Sequence, residues 1–199
     1  MHARPNIVSN TSERTCKVPE KPVIHQVRTI AETRLFHIEA VDLEFSNGEQ
    51  REYERINNSN GGAVMVLPMT EDSLILVREY AVGTEEYELG FVKGLVDPGE
   101  TPLEASNREL KEEIGMGAGS LLPVRKVRLT PHYTTSVGYT MLAWELYPDP
   151  RPGDEPEALE QVHWPLQNLE GLLEHPEIND VRTLHAIYWL RDHLGQLDS

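Results

Sequence analysis

Gly94 to Met116 reads GLVDPGETPLEASNRELKEEIGM, and the fold is decided by this stretch. Asp97-Pro98-Gly99-Glu100 has the composition of a turn. Thr101-Pro102 supplies an N-cap followed by proline at the first helical position. Glu104, three residues after Thr101, completes a capping box, and Gly115 ends the helix. At about 100° per residue, Leu103, Leu110 and Ile114 share one stripe, which packs the helix onto a core. Glu109, Glu112 and Glu113 fall within roughly a quarter-turn of one another on the opposite side. Like charges at i,i+3 and i,i+4 destabilise a helix by about 0.2–0.5 kcal/mol each. A solvated face would intersperse lysines, and only Arg108 and Lys111 are at hand. Carboxylates converging on one point suit a hard divalent cation that meets substrate phosphates, Mg²⁺ first and Mn²⁺ as its substitute.

A chain of 199 residues makes one ordinary domain, or one with a small N-terminal addition. Its net charge of −15 repels polyanions, which argues against nucleic acid as a partner. A small phosphorylated substrate stays compatible, because a metal ion reverses the local field. Cys16, the single cysteine, cannot form an internal disulfide and fits a reducing cytoplasm. No apolar run approaches the ~18 residues of a membrane span, and the first residues lack the apolar core of a secretory signal. A cytoplasmic protein with no membrane partner is expected.

Residues 1–20 read as a polar, disordered tail. Residues 21–57 read as a sheet region. VIHQVRTIAE, RLFHIEAVDLEFS and QREYERI have strand-like patterns, and Asn47-Gly48 joins the second and third as a hairpin. Three strands alone are marginal, so this sheet leans on the main domain or on another subunit. Residues 58–199 form the main domain. After a loop at Asn57–Gly62 come the buried strands AVMVLPM and SLILVREY, the extended EYEL at Glu86–Leu89, and the helix. LLPVRKVRLT, GYTMLAWELYP and EQVHWPL read as further strands, with a proline-rich loop from Pro148 to Glu157. Helical apolar spacing closes the chain at Leu169, Leu172 and Leu173, then at Leu184, Ile187, Tyr188 and Leu190. Strands with one helix between them and others at the end predict an α+β fold.

The spacing Gly94, Glu100, Arg108, Glu109, Leu110, Glu112, Glu113, Gly115, Met116 is similar to the Nudix box at every fixed position. LEFSNG with YER, REYAVGTEEYELGFVKGLVDPGE, GDEPE and WPL resemble the ADP compounds hydrolase (NudE) branch of that family, from about Lys21 to near the C-terminus. The resemblance implies a Nudix fold, an α/β/α sandwich with a mixed sheet, here preceded by a small antiparallel sheet. It implies Mg²⁺-dependent hydrolysis of the diphosphate in ADP-ribose, NADH and diadenosine polyphosphates, releasing AMP, by a homodimer.

Glu109, Glu112 and Glu113 are then the metal ligands, joined by the main-chain carbonyl of Lys93. Arg108 stands in the catalytic set, either clamping phosphate or holding a glutamate in place through a bidentate pair; the second is preferred. Glu100 is a structural partner. The base that activates water is Glu157 by position in the late loop, with Glu155 next. Arg51, Glu54 and Arg78 correspond to substrate contacts, the first two across a dimer. Pro131, 15 residues beyond Met116, marks ADP-ribose hydrolases, and Tyr133 lies near where diadenosine hydrolases carry tyrosine. Two other readings compete. One is a Nudix hydrolase of another nucleoside diphosphate derivative, such as a nucleotide sugar; the other is a non-catalytic ADP-ribose sensor, which a degraded box and a DNA-binding partner would mark.

Overall fold

A computed structural model describes residues 18–58 and 61–197. Of the expected tail, residues 1–17 lie outside the described residues, as do Ser59 and Asn60 of the expected loop. β1 (Val23–Glu32), β2 (His37–Glu44) and β3 (Gln50–Ile56) form an antiparallel sheet in that order. The Asn47-Gly48 hairpin forms because Gly48 adopts φ +84°, left-handed backbone that costs glycine little. β2 starts later than its apolar pattern suggests. The Thr33 hydroxyl accepts the N–H of Phe36 at 2.8 Å, which turns the chain before His37.

The main domain holds β4 (Ala63–Pro68), β5 (Ser73–Ala81), β6 (Glu86–Gly90), β7 (Val92–Leu95), α1 (Pro102–Glu113), β8 (Met116–Arg128), β9 (Val137–Pro148), β10 (Glu160–Pro165), α2 (Leu169–Leu173) and α3 (Val181–Leu197). One sheet runs β7-β4-β9-β8 and is mixed, because β4 and β9 are parallel. The other is antiparallel, β10-β5-β6.

The unbroken apolar runs of β4 and β5 follow from burial on both faces. Val64, Val66, Ile75 and Val77 pack toward Ala105, Leu110 and Ile114 of the α1 layer. Their neighbours Met65, Leu67, Leu74 and Leu76 pack toward Leu172 of α2 and Ala186, Ile187 and Leu190 of α3. Successive strand residues therefore feed opposite cores, and helices cover both sides. This is the α/β/α sandwich.

Four details differ from the sequence pattern. β7, a short Val-Lys-Gly-Leu segment, pairs with β4 although its composition suggests a loop. β8 begins at Met116, the last residue of the box. Leu103 is 42% exposed, and the buried side of α1 is Ala105, Ser106, Glu109 and Leu110, rotated toward the acidic face. Tyr188 is exposed, with Ala186 buried in its stead. Among the described residues, no helix is long and apolar enough to cross a membrane.

Candidate active site

The start of α1 is fixed locally. The Thr101 hydroxyl accepts the Glu104 N–H, and the Glu104 carboxylate accepts the Thr101 N–H at 2.8 Å. Its end is fixed by the loop after β9. The N–H groups of Asp149 and Arg151 donate to the carbonyls of Gly115 and Lys111, both at 3.0 Å, and Lys111 pairs with Asp149. Gln161 closes the loop by donating to the Ile114 carbonyl at 3.3 Å.

Arg108 organises the acidic face. Nε and Nη2 donate to the two oxygens of Glu100 at 2.9 and 3.0 Å, a bidentate pair. Nη1 donates to Glu109 Oε1 at 2.7 Å and Glu112 Oε2 at 2.9 Å, while Nη2 also reaches the Leu95 carbonyl at 2.8 Å. A guanidinium has five N–H groups, and all of them are engaged, so none is left for a phosphate. These carboxylates raise the Arg108 pKa, Glu100 foremost.

Glu113 points past Arg108 to β7, where Oε1 accepts the Lys93 N–H at 3.1 Å. Its Oε2 is buried with no hydrogen-bond partner. Burial pushes the Glu113 carboxyl up to about 8, with Glu109 and Glu79 adding repulsion. Burial likewise pushes Glu109 up to about 7, against the opposing pull of Arg108. Gly94 makes the arrangement sterically feasible: a Cβ there would lie 1.8 Å from Glu109 Oε1.

Among the described residues, no three His, Cys, Asp or Glu side chains converge as a ready-made metal cage. The donor set nonetheless fits a divalent cation. In each of Glu109, Glu112 and Glu113 one oxygen is held by Arg108 or Lys93, and the other lies outside those bonds. An orphaned buried oxygen and two carboxyls with raised pKa are what a cation would relieve.

Glu112 and Glu113 line a cleft of about 430 Å³ whose far wall is Gly153, Glu155, Pro156 and Glu157. Both loop glutamates thus face the box helix. Glu155 has its pKa raised by burial and by the nearby Glu79 and Asp154. Glu157 accepts the Tyr87 hydroxyl at 2.7 Å. The Lys93 ammonium pairs with Glu79 at 3.1 Å.

The other expected site residues do not line this cleft. Arg51 is exposed on β3, pairs with Glu49 at 2.8 Å, and borders a separate hollow with His25 and Asp42. Glu54 is exposed on the same strand, opposite Ala40. Arg78 is held between Glu160 and Glu177. Pro131 and Tyr133 lie on an exposed loop stitched to the N-terminal sheet, where the Ile56 N–H donates to the Tyr133 carbonyl at 2.8 Å. Glu79 and Tyr87 went unread in the sequence. The near-repeat EY at Glu79-Tyr80 and Glu86-Tyr87 across a turn was their signal, since β5 and β6 set Tyr80 opposite Tyr87.

The sandwich and its acidic helix define a class, the hydrolases that open phosphoanhydrides. Comparison with known proteins makes the assignment narrower. Residues 22–55 match the NudE-type Nudix hydrolase N-terminal domain, and residues 59–187 match the NUDIX domain. The chain is 53% identical over 175 residues to ADP compounds hydrolase NudE of Escherichia coli (strain K12), spanning 88% of this chain and 94% of that protein. It is 29% identical to the ADP-ribose pyrophosphatase of Bacillus subtilis (strain 168), spanning 82% and 92%. A crystal structure of an ADP compounds hydrolase superposes with a TM-score of 0.86 at 52% identity, covering 90% of this chain and 98% of that one. The chain belongs to the Nudix hydrolase family.

Proposed function

We propose that this protein hydrolyses the diphosphate link of ADP-containing compounds, namely ADP-ribose, NADH and diadenosine polyphosphates, and releases AMP. The observation that carries the reading is that Glu109, Glu112 and Glu113 of α1 each have one oxygen held, by Arg108 or by the Lys93 N–H, and one outside that hold. The names of the relatives support the substrate class.

Glu109, Glu112, Glu113 and the Lys93 carbonyl would hold Mg²⁺, or Mn²⁺ in its place, which would supply charge neutralisation of the diphosphate and a more acidic attacking water. Arg108 acts by position, fixing two of the three carboxylates and itself fixed by Glu100. Glu155 takes the proton from the attacking water. Partial desolvation and carboxylate neighbours raise its affinity for a proton, the direction a general base requires. Glu157, which the late-loop pattern favours for this role, is engaged instead by Tyr87.

The working form is a homodimer in the cytoplasm. β1 is exposed along its whole length and presents Val23, Ile24, Val27 and Ile30, an apolar set that a second copy would cover. Across that two-fold, Arg51 and Glu54 contact substrate. Sedimentation of the dimer gives twice the 22.6 kDa chain mass, and a monomer at working concentration refutes it.

Product analysis tests the activity. With Mg²⁺, AMP is released from ADP-ribose and NADH; chelator abolishes it. Preferred cleavage of a non-adenine nucleotide sugar supports the broader Nudix reading, and tight ADP-ribose binding without turnover supports a sensor.

A further inference from the structure

The loop between β9 and β10 is tied to α1 at both ends, through Asp149 and Arg151 near its start and Gln161 after it. Gly153 lies close against the helix, since a Cβ there would sit 3.3 Å from the Glu112 carbonyl. Between these ties lies the segment that faces the cleft. Within residues 152–159, among the described residues, the one side-chain hydrogen bond to another element comes from the Tyr87 hydroxyl on β6, which donates to Glu157 Oε1 at 2.7 Å; the next hold is at Glu160, the first residue of β10, which pairs with Arg78. Tyr87 is braced in turn by the Tyr80 ring, edge-on at a centroid distance of 5.4 Å.

We infer that Tyr87 is a positioning residue for hydrolysis: its bond to Glu157 holds the loop so that Glu155 faces Glu112 and Glu113. This rests on the reading that the loop supplies the base. The chemistry of each part suits the task. A phenol donating to a carboxylate makes a charge-assisted bond stronger than a neutral one. The tyrosine ring loses little rotamer freedom when held. Pro156, between the two glutamates, fixes φ and so transmits the hold on Glu157 to Glu155. Glu157 is on this account the anchor, and Glu155 the group it aims.

The test uses the full chain with ADP-ribose and Mg²⁺. Y87F and E157A each lower kcat about five- to tenfold, with KM within about twofold and an unchanged melting temperature. The double variant is no slower than either single one, because both remove the same bond. E157Q keeps an amide oxygen that accepts from Tyr87, and it loses less than about threefold, whereas E155Q loses orders of magnitude. Amide exchange at residues 154–158 speeds up in Y87F and E157A. The inference is overturned if Y87F keeps wild-type kcat and exchange, or if E157Q is as slow as E155Q, which makes Glu157 the base. A wild-type protein inactive on every diphosphate refutes the proposed function alone; unchanged exchange in Y87F would then still overturn the tie.

Discussion

Gly94 and Glu109 interlock: the Cβ that Gly94 lacks would stand 1.8 Å from Oε1 of the Glu109 carboxylate. Gly94 sits on β7, paired with Val64, so the backbone has no room to retreat. The carboxylate is the softer partner, yet Arg108 holds it at 2.7 Å. In G94A, therefore, Glu109 is displaced from its place among the box glutamates. We expect a stability loss of about 1–3 kcal/mol, typical of overpacking. The loss of turnover should be much greater than that of stability. Melting and kcat measured together check this; equal turnover in G94A would mean that Glu109 need not stay where it is.

Glu113 gives a test that does not depend on turnover. Its carboxyl is pushed up to about 8 by burial. A raised carboxyl is neutral in both states at acid pH, and its cost grows as pH climbs from the ordinary value toward the folded one. E113Q keeps an oxygen for the Lys93 N–H and carries no charge, so without metal it should melt no lower than wild type at pH 8. Mg²⁺ should raise the wild-type melting temperature by preferential binding to the folded state. Most of that shift should vanish in E113Q, along with turnover. An undiminished Mg²⁺ shift would remove Glu113 from the ligand set.

Arg108 separates two roles by kinetics. Lysine offers a point charge with three donors where the guanidinium satisfies Glu100, Glu109, Glu112 and the Leu95 carbonyl together. R108K should lower kcat strongly with little change in KM, and cost about 1–3 kcal/mol of stability through carboxylates left without partners. A rise in KM at constant kcat would instead mark a phosphate clamp.

What was legible in the sequence was local. The caps of α1 and the Asn47-Gly48 hairpin depend on residues a few positions apart, and both are found where the pattern puts them. β7 was illegible because Lys93-Gly94 has loop composition and becomes a strand only through pairing with β4. Leu103 misled for a related reason: the helix turns its acidic edge partly inward, since Glu109 must reach Gly94 and Arg108. The partner of Glu157 was illegible too, because Tyr87 lies 70 residues away and meets the loop only in the folded chain.

Acid should loosen the N-terminal sheet through Glu39. This residue on β2 is only 8% exposed. It accepts Arg55 Nε at 2.8 Å and Asn57 Nδ2 at 2.7 Å. The Arg55 hydrogen bond, aided by Asn57, holds its pKa below the ordinary 4.5. A depressed carboxylate stabilises the fold fully above its unfolded pKa and loses that contribution as pH falls through the folded value. Wild type should therefore lose more stability than E39Q between pH 6 and pH 3, measured as melting temperature at fixed ionic strength. At pH 7, where the Glu39 contribution is fully present, wild type should be the more stable of the two. Parallel curves for the two proteins across that window would show that the Glu39–Arg55 bond contributes nothing to holding β2 against β3.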